Sequence, residues 1–237
     1  QNIGTKLVSS KAEWSGEKNK RVLVYSEQGI GDVIMFASLI PEIAAVSSQL
    51  IVSCDSRLIP LFERSFSKEI VLVSKDQIVP EHSYDYHIPI GSLPLTFRKE
   101  LQSFKASAAS YLKADRELSQ TLKNTLIEVN DKPICGITWK GGSIKNQATR
   151  NKDISIEELG EVLKCFDYKY VNLQYGSTDT ELETLKTDFG VEVECLSQID
   201  NFSNLDGLAS LISSCDYIVS VDNVTVHLAG ALGVKTY

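Results

Sequence analysis

The chain has 237 residues, 43% of them hydrophobic and 23% charged, with a formal net charge of −7. That length accommodates one large domain or two smaller ones, and the composition is that of a chain that buries a core. The acidic balance excludes general nucleic-acid binding, which needs a basic face against the phosphates. No apolar run approaches the roughly 18 residues of a membrane span, since Pro41 and Glu42 interrupt the stretch 33–46.

In chain order, short β-branched runs alternate with helical patterns, the signature of βαβ units in a parallel sheet. Residues 1–19 lack the apolar core of a secretory signal, so the expected location is the cytoplasm, with peripheral contact to the inner membrane permitted. A first strand is predicted over 21–26, followed by a turn and a helix starting near Asp32. A second strand, 50–54, runs into Asp55, a good cap for a helix that holds Leu58, Ile59, Leu61 and Phe62. The third strand is 70–73. From 74 to 114 the punctuation by Pro80, Pro89, Gly91 and Pro94 predicts a loop-rich, substrate-facing stretch, in which Tyr84, Tyr86, Ile88 and Ile90 alternate like one more strand. His82 and His87 read as loop residues with no third metal ligand near in sequence.

A helix is predicted over 117–129, and the turn at 130–133 is read as the domain boundary, giving an N-terminal lobe of residues 1–131 and a C-terminal lobe of 132–237. A second alternating series opens with a strand at 134–139. Ser155 with Glu158 and Thr178 with Glu181 have capping-box spacing, so helices are predicted to start at both places. Further strands are predicted at 170–173, 191–195 and 217–221, and Asn204 caps a helix that holds Leu208, Leu211 and Ile212. The five cysteines lie far apart without a C-x-x-C pair and read as buried free thiols. Both ends read as cut, the last residues leading towards another strand.

In an open α/β sheet, ligands bind beyond the carboxyl ends of strands. Three strand-to-helix junctions carry unusual residues there. Glu27-Gln28-Gly29-Ile30-Gly31-Asp32 puts two glycines in a tight turn and an acid at a helix start. Asp32 there is a helix cap or a catalytic group. A dinucleotide site is the rival reading, with Asp55 where a ribose-binding acid belongs, but the third glycine of that fingerprint is replaced by Ile34. Trp139-Lys140-Gly141-Gly142-Ser143, with Lys145, Arg150 and Lys152, combines glycines and cations that suit a phosphate but lacks P-loop spacing. The third junction runs from Asp222 through Asn223 and Thr225 to His227, where a helix start offers an anion site and a ring that can hydrogen-bond a phosphate or sugar.

These blocks resemble a known family. Residues 27–34, Trp139 with Gly141, Leu173-Gln174, and Val221-Asp222 leading to His227-Leu228-Ala229-Gly230 are similar, in order and spacing, to the glycosyltransferase domain found behind tetratricopeptide repeats in many bacterial proteins. That domain is related to the family 9 lipopolysaccharide heptosyltransferases, and Trp14-Ser15-Gly16-Glu17 resembles the stretch before its first strand. The resemblance implies an α/β fold of GT-B type, with two Rossmann-like lobes on parallel sheets and the second lobe truncated at its C-terminus. It implies a hexosyl- or heptosyl-type transferase, inverting and metal-independent, moving a sugar from a nucleotide-diphospho-sugar to a glycan, lipid-linked glycan or protein, with no cofactor beyond that co-substrate. Asp32 would be the catalytic base on the acceptor hydroxyl. Gln28, Gly29, Gly31, Lys140, Gly141, Lys152, Gln174, Asp222, Asn223, Thr225 and His227 would line the substrate and donor sites. Tetratricopeptide repeats upstream and an inactive isolated fragment are further expectations. Where the family usually has Asp-Thr and Arg-Ser, this chain has Asp222-Asn223 and Lys152-Asp153. A non-catalytic nucleotide- or carbohydrate-binding module and an NAD(P)-dependent oxidoreductase are the alternatives.

Overall fold

The structure is a computed structural model, described here for residues 6–104, 110–127, 132–141 and 153–237. The chain divides into two compact units, Gln1–Lys113 and Ala114–Tyr237.

The first unit holds β1 (Ala12–Glu13), β2 (Arg21–Tyr25), β3 (Gln49–Cys54), β4 (Val71–Ser74) and β5 (Tyr86–Pro89) in one sheet of order β1-β5-β2-β3-β4, every pairing parallel. β2 reads Arg-Val-Leu-Val-Tyr and is buried from Val22 to Tyr25, as expected of a strand covered on both faces. Helices α1 (Ile30–Phe36), α2 (Ile40–Val46), α3 (Ile59–Ser65) and α4 (Leu93–Phe97) are short. Pro41, Pro60 and Pro94 sit in the first turns of the last three, where the missing N–H costs no bond. His87 differs from its expected place: it lies inside β5, 3% exposed, with Nε2 3.1 Å from the Lys11 carbonyl. The Tyr/Ile alternation read from the sequence as one more strand is β5, and His87 falls within it and not in a loop. Trp14 is buried, donates its indole N–H to the Glu17 carbonyl at 2.8 Å and stacks on Phe97.

The second unit holds β6 (Ile134–Thr138), β7 (Lys169–Asn172), β8 (Val193–Glu194), β9 (Tyr217–Ser220) and β10 (Lys235–Thr236) in the order β10-β9-β6-β7-β8, again all parallel. β10 is the further strand towards which the last residues were expected to lead. Around the sheet are α5 (Arg116–Ile127), α6 (Ile156–Leu163), α7 (Asp179–Phe189), α8 (Leu205–Ser214) and α9 (Val224–Leu232). Cys135, Ile137, Trp139, Leu159, Leu163, Tyr170, Leu185 and Val191 form one core cluster. Each fully buried leucine among them contributes roughly 1.5–3 kcal/mol.

The two units part at 113/114, upstream of the turn expected to separate residues 1–131 from 132–237. The physical reason is α5. Its Leu122 and Leu126 are buried, it packs on α8, and Lys123 pairs with Asp216, whose other oxygen accepts the Ile134 N–H at 2.9 Å.

The capping box at Ser155 is formed with both of its bonds. At Thr178 it is not: Thr178 is 5% exposed and its hydroxyl instead accepts from Asn172 Nδ2 at 3.0 Å, so α7 begins without a side-chain cap. Of the cysteines, Cys54, Cys135 and Cys215 are buried as expected, while Cys165 and Cys195 are exposed.

Candidate functional site

Strand order fixes where a ligand can sit. In the first sheet the chain runs outwards through β3 and β4 and then crosses to the other side of β2 as β5, so the topological switch point lies at the carboxyl ends of β2 and β5. The residues that follow these strands are Glu27-Gln28-Gly29 and Ile90-Gly91. Gly29 is the N-cap of α1, in extended conformation, and its carbonyl accepts the Val33 N–H at 3.0 Å. Asp32 is therefore the third residue of the helix and not its cap. It is half-buried, and its carboxylate makes no hydrogen bond or ion pair with the described residues. A carboxylate held on a rigid turn with its oxygens uncommitted can accept a proton from a bound hydroxyl.

The loop after β5 locks onto the loop after β2. The Gly91 N–H donates to Glu27 Oε1 at 3.2 Å, and the exposed Gln28 donates its amide to the same oxygen at 3.0 Å. A Cβ on Gly91 would stand 2.6 Å from that oxygen, so any larger residue there has to displace the Glu27 side chain. Glu27 Oε2 is buried and has no partner among the described residues. Asp55, the acid of the dinucleotide alternative, is already spent. Its two oxygens take the Arg57 backbone N–H and guanidinium and the Lys75 ammonium, and the Arg57 contact chiefly holds its carboxyl well below the usual range. Nothing of it is left for a ribose.

The second sheet repeats the arrangement, with its switch point at the ends of β6 and β9. Here Asn223 is the joint. Its Oδ1 caps α9 by accepting the Thr225 N–H at 2.9 Å, and its amide donates to Thr138 Oγ1 at 2.9 Å and to the Lys140 carbonyl at 3.1 Å. Ser220 Oγ joins the same web, 2.7 Å from Thr138 Oγ1. Gly141 lies against the partner loop so closely that a Cβ would meet the Asp222 carbonyl oxygen at 2.8 Å. Buried Gln174 accepts the N–H groups of Trp139 and Lys140 at 3.1 and 2.9 Å, fixing the exit of β6. Asp153 folds back to accept the Gly141 N–H at 2.9 Å.

The other sequence-predicted residues divide. His227, on the fourth position of α9, has Nε2 3.7 Å from Asp222 Oδ1 and keeps a quarter of its side chain exposed. Thr225 is 4% exposed, so it supports the helix start from below. The Lys140 ammonium is paired with Glu181. It must leave that carboxylate to meet a phosphate. Lys152, like Gly142, Lys145 and Arg150, lies outside the described residues. Among the described residues no three His, Cys, Asp or Glu side chains come together as a metal site.

Sequence reasoning missed the wall beyond Gln174. A cavity of about 570 Å³ opens there, lined among others by Tyr175, Thr178, Cys195, Asn201 and Phe202. Asn201 donates to the carbonyls of Asn172 and Gln174, while its own oxygen is buried and without a partner among the described residues. The signal available in sequence was the run Asp200-Asn201-Phe202-Ser203-Asn204 after a strand, a turn cluster ending in a helix cap.

No protein-family model matches the chain. It is 31% identical over 242 residues to protein FlbA of Caulobacter vibrioides, across 94% of this chain and 40% of FlbA, so the chain spans about 40% of the length of the curated relative it matches. Among solved structures it is similar to a family 9 glycosyltransferase from Veillonella parvula, with a TM-score of 0.67 at 13% identity over 94% of this chain and 80% of that one. It is also similar to the ADP-heptose LPS heptosyltransferase II of E. coli, with a TM-score of 0.61 at 16% identity over 91% and 83%. The chain has the two-unit α/β fold of GT-B glycosyltransferases, that of family 9 and its heptosyltransferases.

Proposed function

We infer that the chain is the transferase part of a GT-B enzyme that moves a sugar from a nucleotide-diphospho-sugar to a hydroxyl of a glycan, lipid-linked glycan or protein, with inversion and without a metal. The single observation that carries this reading is the pair of switch-point sites of opposite character. One offers an uncommitted carboxylate, Asp32, and the other a capped helix start with a half-buried imidazole, His227. In the step proposed, Asp32 takes the proton of the acceptor hydroxyl as its oxygen bonds to the anomeric carbon. The bond from that carbon to the diphosphate oxygen breaks, and the electron pair leaves with the nucleoside diphosphate. The N-terminal end of α9 and His227 meet the charge that develops there. The heptosyltransferase II named above uses ADP-heptose. For this chain the cavity beside Gln174, with its tilted Tyr175 and Phe202 rings and unpaired Asn201 oxygen, is suited to a nucleoside, whose base stacks and donates N–H groups.

The test is donor binding and turnover in wild type and Asp32→Asn. A panel of UDP-, GDP- and ADP-sugars is screened by thermal shift, and sugar release or transfer is then followed by mass spectrometry. Donor affinity within twofold of wild type and a loss of about 10²–10⁴ in turnover are expected for Asp32→Asn. Equal turnover removes Asp32 from the chemistry. Donor binding without any turnover in the wild type supports the non-catalytic binding module instead, a reading that the Lys140–Glu181 pair favours because it occupies the described cation nearest the donor junction.

A further inference from the structure

We propose that Glu27 is a binding residue for the acceptor, receiving a hydrogen bond from a second hydroxyl of a carbohydrate acceptor through its Oε2. This rests on the transferase reading above. Three observations carry it. Glu27 stands at the switch point of the first sheet, between the loop that leads to Asp32 and the loop that follows β5, where a ligand of this unit must lie. Its two oxygens have separate duties: Oε1 accepts from Gly91 N–H at 3.2 Å and from Gln28 at 3.0 Å, while Oε2 is buried without a partner among the described residues. The first pair of bonds orients the carboxylate on the loop after β5, beside the turn that leads to Asp32. A buried acceptor atom left unpaired costs about 1–3 kcal/mol, and at a switch point, unlike in the core, a ligand donor can offset that cost.

The missing partner must be a hydrogen-bond donor. A carboxylate oxygen prefers hydroxyl or ammonium donors, and glycans present vicinal hydroxyls a few ångströms apart. One hydroxyl would give its proton to Asp32 while its neighbour holds to Glu27, which fixes the ring for attack. Specificity of this kind is steep, because an acceptor lacking the second hydroxyl leaves the buried oxygen unpaired.

Glu27→Gln separates this role from a merely structural one. Its amide oxygen keeps the bonds to Gly91 and Gln28, and its NH₂ turns the Oε2 position from acceptor into donor. Wild type and Glu27→Gln are compared by saturation-transfer NMR with a panel of methyl glycosides, by acceptor kinetics for any glycoside that is glycosylated, by thermal unfolding, and by donor titration. The expected result is glycoside binding weakened about tenfold or more, with KM for the acceptor rising by the same factor, kcat falling less than threefold, and the unfolding midpoint and donor affinity unchanged. Glycosides bound equally by both proteins, or by neither, overturn the proposal. So does a midpoint that falls in step with binding, since that marks Glu27 as structural. Failure of the transferase reading looks different: the wild type then turns over no donor, whereas glycoside binding and its loss in Glu27→Gln are still read directly by NMR.

Discussion

Asn223 offers the sharpest measure of how the junction at the ends of β6 and β9 is held. In Asn223→Ala the cap on the Thr225 N–H disappears together with the two amide bonds to Thr138 Oγ1 and the Lys140 carbonyl. The cap is worth about 1 kcal/mol. Each amide bond is worth about 1 kcal/mol in a buried setting, but the Lys140 carbonyl lies at an exposed position where water takes the place of the amide, and Thr138 keeps Ser220 as a partner. The sum expected is about 2 kcal/mol, or a fall of roughly 5–10 °C in the midpoint of this unit. Asn223→Asp keeps the acceptor that caps α9 and loses only the two donors, so about 1 kcal/mol is expected. The assay is urea unfolding followed by tryptophan fluorescence in a Trp14→Phe background, where buried Trp139 reports on the second unit alone. An Asn223→Ala variant within 0.5 kcal/mol of its parent, or an Asp variant as costly as Ala, would refute the account of this junction.

Three other outcomes follow from the geometry. Gly91→Ala drives a methyl to 2.6 Å from Glu27 Oε1 and is expected to cost about 1–2 kcal/mol, most of it recovered when Glu27→Ala is added, as a double-mutant cycle in urea would show. Asp55→Asn removes a carboxylate held below its ordinary range, so its native pairing stabilises above pH ~4 and is lost as the pH falls. The variant should be less stable than wild type at pH 7, with a gap that narrows below pH ~4. A gap of constant size between pH 7 and 3 contradicts this. Finally, burial pushes the thiols of Cys54 and Cys215 up to about 12 and that of Cys135 to about 11, while Cys165 and Cys195 are exposed. Ellman's reagent should titrate two thiols in the native protein at pH 8 and five in guanidinium. Five fast native thiols would mean the cores are not closed.

What the sequence made legible is local. Strand and helix positions are legible in runs such as Val22 to Tyr25 and in the caps at Ser155 and Asn204, because those signals act over a few residues. The switch-point junctions were legible too, since glycines and polar residues at strand ends stand out against apolar runs. The rest depends on partners far along the chain. Thr178 has the spacing of a cap but is claimed by Asn172, and Glu27 meets Gly91 at a separation of 64 residues. Asp55 stands where a ribose ligand belongs in the sequence pattern, but Arg57 and Lys75, the latter 20 residues on, occupy it. The domain boundary moved for the same reason: α5 reads as the last helix of one unit and packs as part of the next.

The two sheets differ in one way with a consequence of its own. β5, β2, β3 and β4 correspond in order to β9, β6, β7 and β8, but the outer strand β1 precedes its sheet in the chain while β10 follows its own. The two sheets thus share one order over four strands and differ in where along the chain the fifth described strand lies. Each sheet carries its own loops at the carboxyl ends of its strands, so the loops of one unit can change in sequence without repacking the core of the other.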